Sequence, residues 1–311
     1  MEICDLLGID VPIIQGAMAY VSRPPLVAAV SEAGGLGVLS TNGLSAADLR
    51  QELSQCRELT AKPFGVNLML QAHNISELLQ ALFEEKVPVV TTGAGTPKAF
   101  LKDLQAQGTK VIPVIASLKH AQKMADLGAD AIVAEGREAG GHIGQSSSLP
   151  LWQAVLRAVD IPVVAAGGIG SGQAIVAAEA IGAAGVQIGT RFLAAQEAHL
   201  PKSYTDLLCQ ADDQSTIVTG ASWGQPVRSL ATDFLEEIRA AEFQGTDPKV
   251  IGERLKASYQ AALGSGDWTK SSPMAGEVAS LIQKQQPARA IIEELQAEAQ
   301  ATRSLLQARW S

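Results

Sequence analysis

Residues 161–191 read IPVVAAGGIGSGQAIVAAEAIGAAGVQIGTR: an apolar run, a glycine turn, a helix-like stretch and a second apolar run. The runs Pro162 to Gly168 and Gly185 to Thr190 have the β-branched composition of strands, and the periodicity of Ser171 to Ile181 predicts a helix between them. A helix that joins two strands in this way carries the chain back to the same end of the sheet, so the strands lie parallel. The unit therefore predicts an α/β fold.

The same unit recurs along the first two thirds of the chain. Six further apolar runs come before it: Pro12 to Gly16, Leu36 to Ser40, Phe64 to Met69, Val87 to Gly93, Lys110 to Ser117 and Ala131 to Gly136. Helical periodicity between the runs predicts helices at Pro25 to Ala33, Ile75 to Glu85, Pro97 to Gln107, Lys119 to Leu127 and Leu149 to Val159. Eight such strands favour closure into a (β/α)8 TIM barrel over an open, doubly wound sheet.

The last third of the chain differs in composition from the first two thirds. Residues 197–271 are polar and helix-prone, which predicts a small, mainly helical domain after strand eight. Residues 1–196 together with 272–311 then form the barrel. The tail from 274 to 310 is helical in pattern, with a break at 284–287, and we expect it to pack back on the barrel.

Composition excludes several classes of protein. The net charge is −8 over 311 residues, which argues against a nucleic-acid-binding protein, because phosphate contacts need clustered Lys and Arg. Cys4, Cys56 and Cys209 are scattered without the spacing of a metal site or a disulfide framework. No apolar stretch is long enough to insert into a membrane, and the first residues do not resemble a signal peptide. We therefore expect a cytoplasmic protein with no metal site.

Glycine-rich turns follow the seventh and eighth predicted strands. Gly167 and Gly168 end one run, and Gly189 and Thr190 end the next. In a barrel of this kind, the C-terminal ends of the strands carry the active site, and free amides there suit a phosphate. Glycines in a single turn would fit a tight connection alone. Two neighbouring turns favour a phosphate site, to which Thr190 adds a hydroxyl donor.

The loop after strand six contains the main candidate for catalysis. His142 lies in the glycine-rich stretch 134–144, where an imidazole can donate a hydrogen bond to a carbonyl or move a proton near neutral pH. Glu135 and Arg137 in the same stretch could form an ion pair or contact a ligand, and both alternatives stay open. The other histidines fall in predicted helices or their flanks and are not predicted to be functional: His73, His120 and His199.

Two other strand ends carry candidate ligand contacts. Asn67 is a polar residue in an apolar strand, so it needs hydrogen-bond partners, from a cofactor ring or from the backbone. Ala17 and Met18 follow the first strand, where small residues would let a flat ring approach, although Met18 also fits a core position. The sequence lacks GxGxxG at the required place, GxSxG, a Walker loop and HExxH, which argues against a Rossmann site, a serine hydrolase and a nucleotide triphosphatase.

An ordered set of motifs runs nearly the whole length of the chain. Its members lie at 12–19, 33–37, 62–70, 91–95, 138–144, 166–169, 187–192 and 274–276. The set resembles the enoyl-acyl carrier protein reductase II group within the 2-nitropropane dioxygenase (nitronate monooxygenase) family. The stretches 66–70, 138–144 and 274–276 resemble the reductase branch more than the nitronate-oxidising branch. Thr96 departs from the pattern, since the family often has Asn there.

The resemblance implies an activity and a set of ligand contacts. It implies an FMN that NADH or NADPH reduces, and that passes a hydride to the β-carbon of a trans-2-enoyl thioester on acyl carrier protein, in fatty acid synthesis. It places His142 on the substrate side. It implies that these residues surround the cofactor: Ala17, Met18, Asn67, Glu135, Gly141, Gly167, Gly168, Gln187, Gly189, Thr190 and Met274. The resemblance also implies that residues 197–271 act as a substrate or lid domain, and a homodimer is expected at the level of the family.

Three alternatives to the reductase function are compatible with the sequence. A nitronate monooxygenase would let its substrate reduce the flavin and oxygen reoxidise it, without NAD(P)H. A phosphate-sugar isomerase or synthase on the same barrel would use the same anion-binding turns without a flavin. A non-catalytic ligand-binding protein would leave His142 and the glycine turns without a purpose.

Overall fold

Eight parallel strands close into a barrel in the computed structural model of the protein, which describes residues 2–310. The first strand pairs with both the second and the last, and this closes the ring. The barrel strands are β1 (Ile13–Gln15), β2 (Leu36–Ser40), β3 (Phe64–Met69), β4 (Val89–Gly93), β5 (Lys110–Ile115), β6 (Ile132–Glu135), β8 (Val163–Ala166) and β9 (Gly185–Ile188), while β7 (Gly141–His142) lies outside the barrel. The predicted (β/α)8 architecture is confirmed.

Helices cover the outside of the barrel and form most of the last third of the chain. They are α1 (Glu2–Leu7), α2 (Pro24–Glu32), α3 (Ala46–Leu59), α4 (Ile75–Glu85), α5 (Leu101–Ala106), α6 (Leu118–Asp126), α7 (Ser148–Leu156), α8 (Gly172–Ala180), α9 (Thr190–Leu193), α10 (Lys202–Cys209), α11 (Asp233–Phe243), α12 (Pro248–Ser265) and α13 (Ala288–Trp310). Most predicted helices agree with these bounds within a few residues. The largest difference is at α5, where residues 97–100 form a turn ahead of the helix. No helix within residues 2–310 is both long and apolar enough to span a membrane.

The interior of the barrel is filled from the N-terminal end of its strands. Ile3 and Leu7 of α1 join one apolar cluster with inward side chains such as Ile14, Leu36 and Val133, all of them buried. Burial of each such side chain contributes about 1.5–3 kcal/mol relative to leaving it exposed. A larger cluster fills the layer between the strands and the outer helices. The C-terminal end of the barrel is therefore the end that remains available for a site.

The segment after β9 adds two strands to its helices. β10 (Thr216–Thr219) and β11 (Val227–Leu230) pair antiparallel, and β11 also pairs with β7. The helix-prone composition of residues 197–271 did not predict these strands, and β7, the second partner of β11, lies far away in the sequence. The division of the chain into a barrel and a domain at 197–271 stays a prediction.

The tail returns to the barrel as expected. Residues 282–287 are non-helical, which confirms the predicted break, and α13 then packs against α8 and α2. Ile291, Ile292 and Leu295 are buried in this contact layer. The guanidinium of Arg303, in the C-terminal half of α13, lies 2.7 Å from the carboxylate of Glu179 on α8. This ion pair holds that half of α13 against the barrel.

Candidate active site

A cavity of about 830 Å3 opens at the C-terminal ends of the barrel strands. A volume of roughly 300–1,000 Å3 is usual for sites that bind cofactors and small substrates. All the predicted site residues line it: Ala17, Met18, Asn67, Glu135, Gly141, His142, Gly167, Gly168, Gln187, Gly189, Thr190 and Met274. His120 and His199 also line it, although the sequence analysis gave them no role. The contacts of these residues with any ligand stay predictions.

The turn after β8 has a backbone that only glycine adopts easily. Gly167 and Gly168 have φ values of 88° and 73°, in the left-handed region. A Cβ on Gly167 would lie 2.8 Å from the carbonyl oxygen of Gly136 and 2.9 Å from Oγ of Ser148. The Gly168 amide donates no hydrogen bond to the rest of residues 2–310. The turn therefore presents a free backbone donor to the cavity.

The turn after β9 contains open space next to a glycine. A Cβ on Gly189 would find no atom within 4 Å, and its φ is −105°. The packing of the protein therefore does not require glycine there. Oγ1 of the neighbouring Thr190 accepts a hydrogen bond of 2.8 Å from the amide of Gly276, which leaves its own O–H free to donate. Space, amides and a hydroxyl together form a cradle of the size and polarity that an anionic group requires.

Asn67 has one of the partners that a buried amide needs. Its Nδ2 donates to Oγ1 of Thr91 at 2.9 Å, so a side-chain hydroxyl satisfies it rather than the backbone. Its Oδ1 accepts no hydrogen bond from the described residues and lines the cavity with the rest of the side chain. Met18 both lines the cavity and packs against the core, so the two interpretations of this residue are compatible.

His142 is held by a strand pair that reaches across from the last third of the chain. It lies on β7 opposite Val227 of β11. Its ring faces the open cavity and is exposed there, yet the surrounding walls disfavour the charged imidazolium and lower its pKa. The neutral ring therefore dominates at pH 7, and it can donate from one nitrogen and accept at the other.

A buried arginine that the sequence analysis did not identify supports this loop. Arg228 on β11 donates to the carbonyl oxygen of Arg137 at 3.3 Å and to Oγ1 of Thr216 at 3.0 Å. Its Nη2 lies 2.8 Å from Oε1 of Glu277, whose amide donates to the carbonyl of Glu138. One guanidinium thus joins the loop of His142, strand β10 and the tail. No ion pair links Arg137 and Glu135 within the described chain.

Arg228→Ala is expected to lower turnover by about 10- to 100-fold, since a displacement of the loop by a fraction of an ångström misplaces His142. We also expect a fall in melting temperature, because Glu277 and the Arg137 carbonyl lose a charged partner. Steady-state kinetics and thermal unfolding measure the two effects. Arg239→Ala, which removes an exposed pair with Glu236, is the matched control and should change neither. Unchanged kcat in Arg228→Ala would contradict the positioning role.

Glu135 is an acid with no protein partner at the end of β6. Its carboxyl makes no hydrogen bond or ion pair with the described residues, and the side chain is half-buried in the cavity wall. Burial raises the pKa of this carboxyl to about 7. Glu138, the next acid in the loop, is different, because its carboxylate accepts from the amide and Oγ of Ser148.

A row of aromatic rings lines part of the cavity. Tyr20, from the loop after β1, contacts Tyr259 of α12 with ring centroids 5.7 Å apart. Tyr259 meets Trp268 edge to face at 5.0 Å, and Trp268 meets Tyr204 at 5.1 Å. The row gives the cavity an apolar wall built mostly by residues 197–271. The sequence did not reveal these residues as a group, because they are far apart in the chain and isolated aromatic residues are more often part of a core.

Comparison with known proteins places this geometry among oxidoreductases. The family model described as "Nitronate monooxygenase" matches residues 2–85 and 74–298. A (3aS,4S,5R,7aS)-5-hydroxy-7a-methyl-1-oxo-octahydro-1H-indene-4-carboxyl-CoA dehydrogenase of Rhodococcus jostii is 37% identical over 265 residues, covering 85% of this chain and 74% of the relative. A probable nitronate monooxygenase of Staphylococcus aureus is 30% identical over 324 residues, covering 88% of this chain and 91% of the relative.

Two solved structures extend the likeness to the whole chain. FabK from Thermotoga maritima superposes with a TM-score of 0.95 at 43% identity, covering 99% of this chain and 98% of that chain. A nitroalkane oxidase from Streptomyces ansochromogenes superposes with a TM-score of 0.89 at 32% identity, covering 98% of this chain and all of the other.

Proposed function

The chain belongs to the nitronate monooxygenase family and is a flavin-dependent oxidoreductase, and we propose that it is an FMN-dependent enoyl-acyl carrier protein reductase. The observation that carries the proposal is the likeness to FabK, at 43% identity over 99% of the chain. The nitroalkane oxidase is less similar, at 32% identity. The acyl carrier protein-linked substrate, NADH or NADPH as reductant, and a homodimer are parts of this proposal.

The residues present fit FMN. Its phosphate requires amides in an open, glycine-lined concavity, and Gly168 and Gly189 supply a free donor and free space. Its flat ring requires a wall without bulky side chains, and Gly16 and Ala17 lie in the cavity lining after β1. Oδ1 of Asn67 is a free acceptor for a ring N–H. FMN, when bound, supplies two-electron chemistry between a nicotinamide and a carbon–carbon double bond.

The chain's own groups would orient the substrate and control its protons. Neutral His142 would donate a hydrogen bond to the thioester carbonyl, which draws electron density away from the β-carbon. The aromatic row Tyr20, Tyr259, Trp268 and Tyr204 would bind the acyl group and exclude water. Residues 197–271 would thereby cover the flavin and admit the acyl chain with its carrier arm.

Nitronate monooxygenase is the second candidate, and the family model and the staphylococcal relatives favour it. The same cavity would hold a nitronate beside His142. The two functions differ in their reductant, since a nitronate monooxygenase turns over without NAD(P)H. Membership of a flavin-dependent family argues against the flavin-free isomerase or synthase.

Product analysis tests the proposal. Purified protein is incubated with NADH or NADPH and a trans-2-enoyl group carried on acyl carrier protein, and in parallel on coenzyme A, because one relative acts on a CoA thioester. The expected result is the saturated thioester, detected by mass spectrometry, with acyl carrier protein the better carrier. A protein that leaves both thioesters unchanged but consumes oxygen with a nitronate would reverse the assignment.

A further inference from the structure

The wall of the cavity that fits FMN contains two acidic side chains and three histidines. Glu135 and Glu138 line it, and no lysine or arginine is among the residues of its wall. The phosphate of FMN carries a charge of about −1.5 to −2 near pH 7. Phosphate sites usually offset this charge with Lys or Arg, in addition to backbone amides. Here the free amide of Gly168 and the hydroxyl of Thr190 would bind the phosphate with no lysine or arginine beside them, next to two carboxyl groups.

Glu138 and Glu135 differ in how they accommodate a nearby anion. Glu138 is fixed as an acceptor by the Ser148 amide and hydroxyl, at 3.0 and 2.7 Å. Glu135 has no donor within the described chain. It lies on β6 opposite Ala166 of β8, the residue immediately before the Gly167 turn. The unpartnered acid is thus on the strand next to the free amides.

No neighbouring charge stabilises ionised Glu135. Strand β8 and helix α7 carry no titratable residue, and Lys110 on β5 lies at the other end of the barrel, 3.7 Å from Asp130. The loop after β6 carries Arg137, Glu138 and His142. Helix α6 carries Lys119, His120, Lys123 and Asp126. Burial is the only cause that shifts the pKa of Glu135, so none of these groups offsets its charge.

We propose that Glu135 takes up a proton when FMN binds, and stays beside the cofactor as a neutral carboxylic acid. The inference rests on the proposed cofactor but not on the proposed substrate. A dianion brought next to β6 repels a carboxylate, and protonation removes that repulsion. The neutral acid also gains an O–H that can donate to an oxygen of the cofactor. The cavity thereby accepts an anion without a lysine or an arginine in its wall.

The sign of the pH dependence follows from linkage. The pKa of Glu135 is about 7 before FMN binds, and bound phosphate raises it further. Below both values the acid is already protonated, so Glu135 gives FMN affinity no dependence on pH. Between the two values binding takes up a proton, and the affinity falls by about tenfold per pH unit as pH rises. The phosphate's own second pKa, about 6, lies below this window.

FMN titration of the full-length, flavin-stripped protein between pH 6 and 9 tests the inference, with FMN fluorescence as the readout. Wild type should lose about tenfold in affinity from pH 7 to 8.5. Glu135→Gln, which is neutral at every pH, should lose less than about twofold and should bind FMN more tightly than wild type at pH 8.5. Glu58→Gln, on the exposed face of α3, is the matched control and should behave as wild type.

A second measurement needs only the wild-type protein. The calorimetric enthalpy of FMN binding at pH 8, compared in buffers of different ionisation enthalpy, should show net proton uptake. Affinity that does not depend on pH, with no proton uptake, would overturn the inference while leaving the flavin in place. A protein that binds no FMN would overturn the proposed function as well, so the two failures are distinguishable.

Discussion

Replacing His142 with alanine is expected to lower kcat by about 100-fold or more with any substrate whose carbonyl the ring binds, while the protein keeps its flavin. The ring faces the cavity from β7, and no hydrogen bond ties it to the described residues. Its removal therefore takes a donor from the substrate without disturbing the barrel. The pKa of His142 lies below its usual value, so the neutral donor is lost rather than a charge.

Steady-state kinetics and the flavin content of the purified variant decide between roles for His142. His142→Gln keeps a hydrogen-bond donor and should recover part of the activity. His73→Ala, at an exposed position outside this cavity, is the control and should match wild type. Loss of flavin from His142→Ala would show that the residue acts on the cofactor instead of the substrate.

Replacing one glycine by alanine in each of the two turns is expected to show which glycine the packing of the protein requires and which one ligand binding requires. Gly189→Ala should leave the melting temperature unchanged, because the new Cβ meets no protein atom within 4 Å. It should weaken FMN binding by at least about tenfold, because the methyl group occupies the space of the phosphate and one strong anion contact contributes about 1.5–3 kcal/mol.

Gly167→Ala is expected to lower both the melting temperature and the affinity for FMN. Its φ of 88° and the contact at 2.8 Å with the Gly136 carbonyl force the turn to move, at a cost of about 1–3 kcal/mol in stability. Gly252→Ala, on α12 with open space around its Cβ, is the control for the methyl group itself. Thermal unfolding and FMN titration measure both effects. A Gly189→Ala protein that binds FMN as wild type does would place the phosphate elsewhere.

The barrel could be predicted from sequence because its signal is local. Parallel strands buried on both faces read as apolar runs, and the predicted runs at 36–40 and 64–69 match β2 and β3 residue for residue. The candidate site could be predicted for the same reason. In this fold, the residues after each run meet at one end, so Asn67, His142 and Gly167 reach one cavity without any contact being known in advance.

The parts that sequence reasoning missed depend on contacts between distant residues. Arg228 binds the carbonyl of Arg137 across 91 residues. Tyr20 and Tyr259 meet although they belong to a barrel loop and to α12. The strand β7 forms only because β11 pairs with it. Periodicity within a short stretch of sequence does not predict such pairings, because the partners come together only in the folded chain.

The central claim is that NAD(P)H reduces the flavin of this protein and an enoyl thioester reoxidises it. Anaerobic mixing of the purified protein with NADH and, separately, with NADPH, followed by addition of a crotonyl thioester, tests it most directly through the visible absorbance of the flavin. We expect bleaching by one or both nucleotides and recovery of the absorbance on adding the thioester. Absorbance that neither nucleotide bleaches, but that a nitronate does, would contradict the reductase assignment and favour nitronate oxidation.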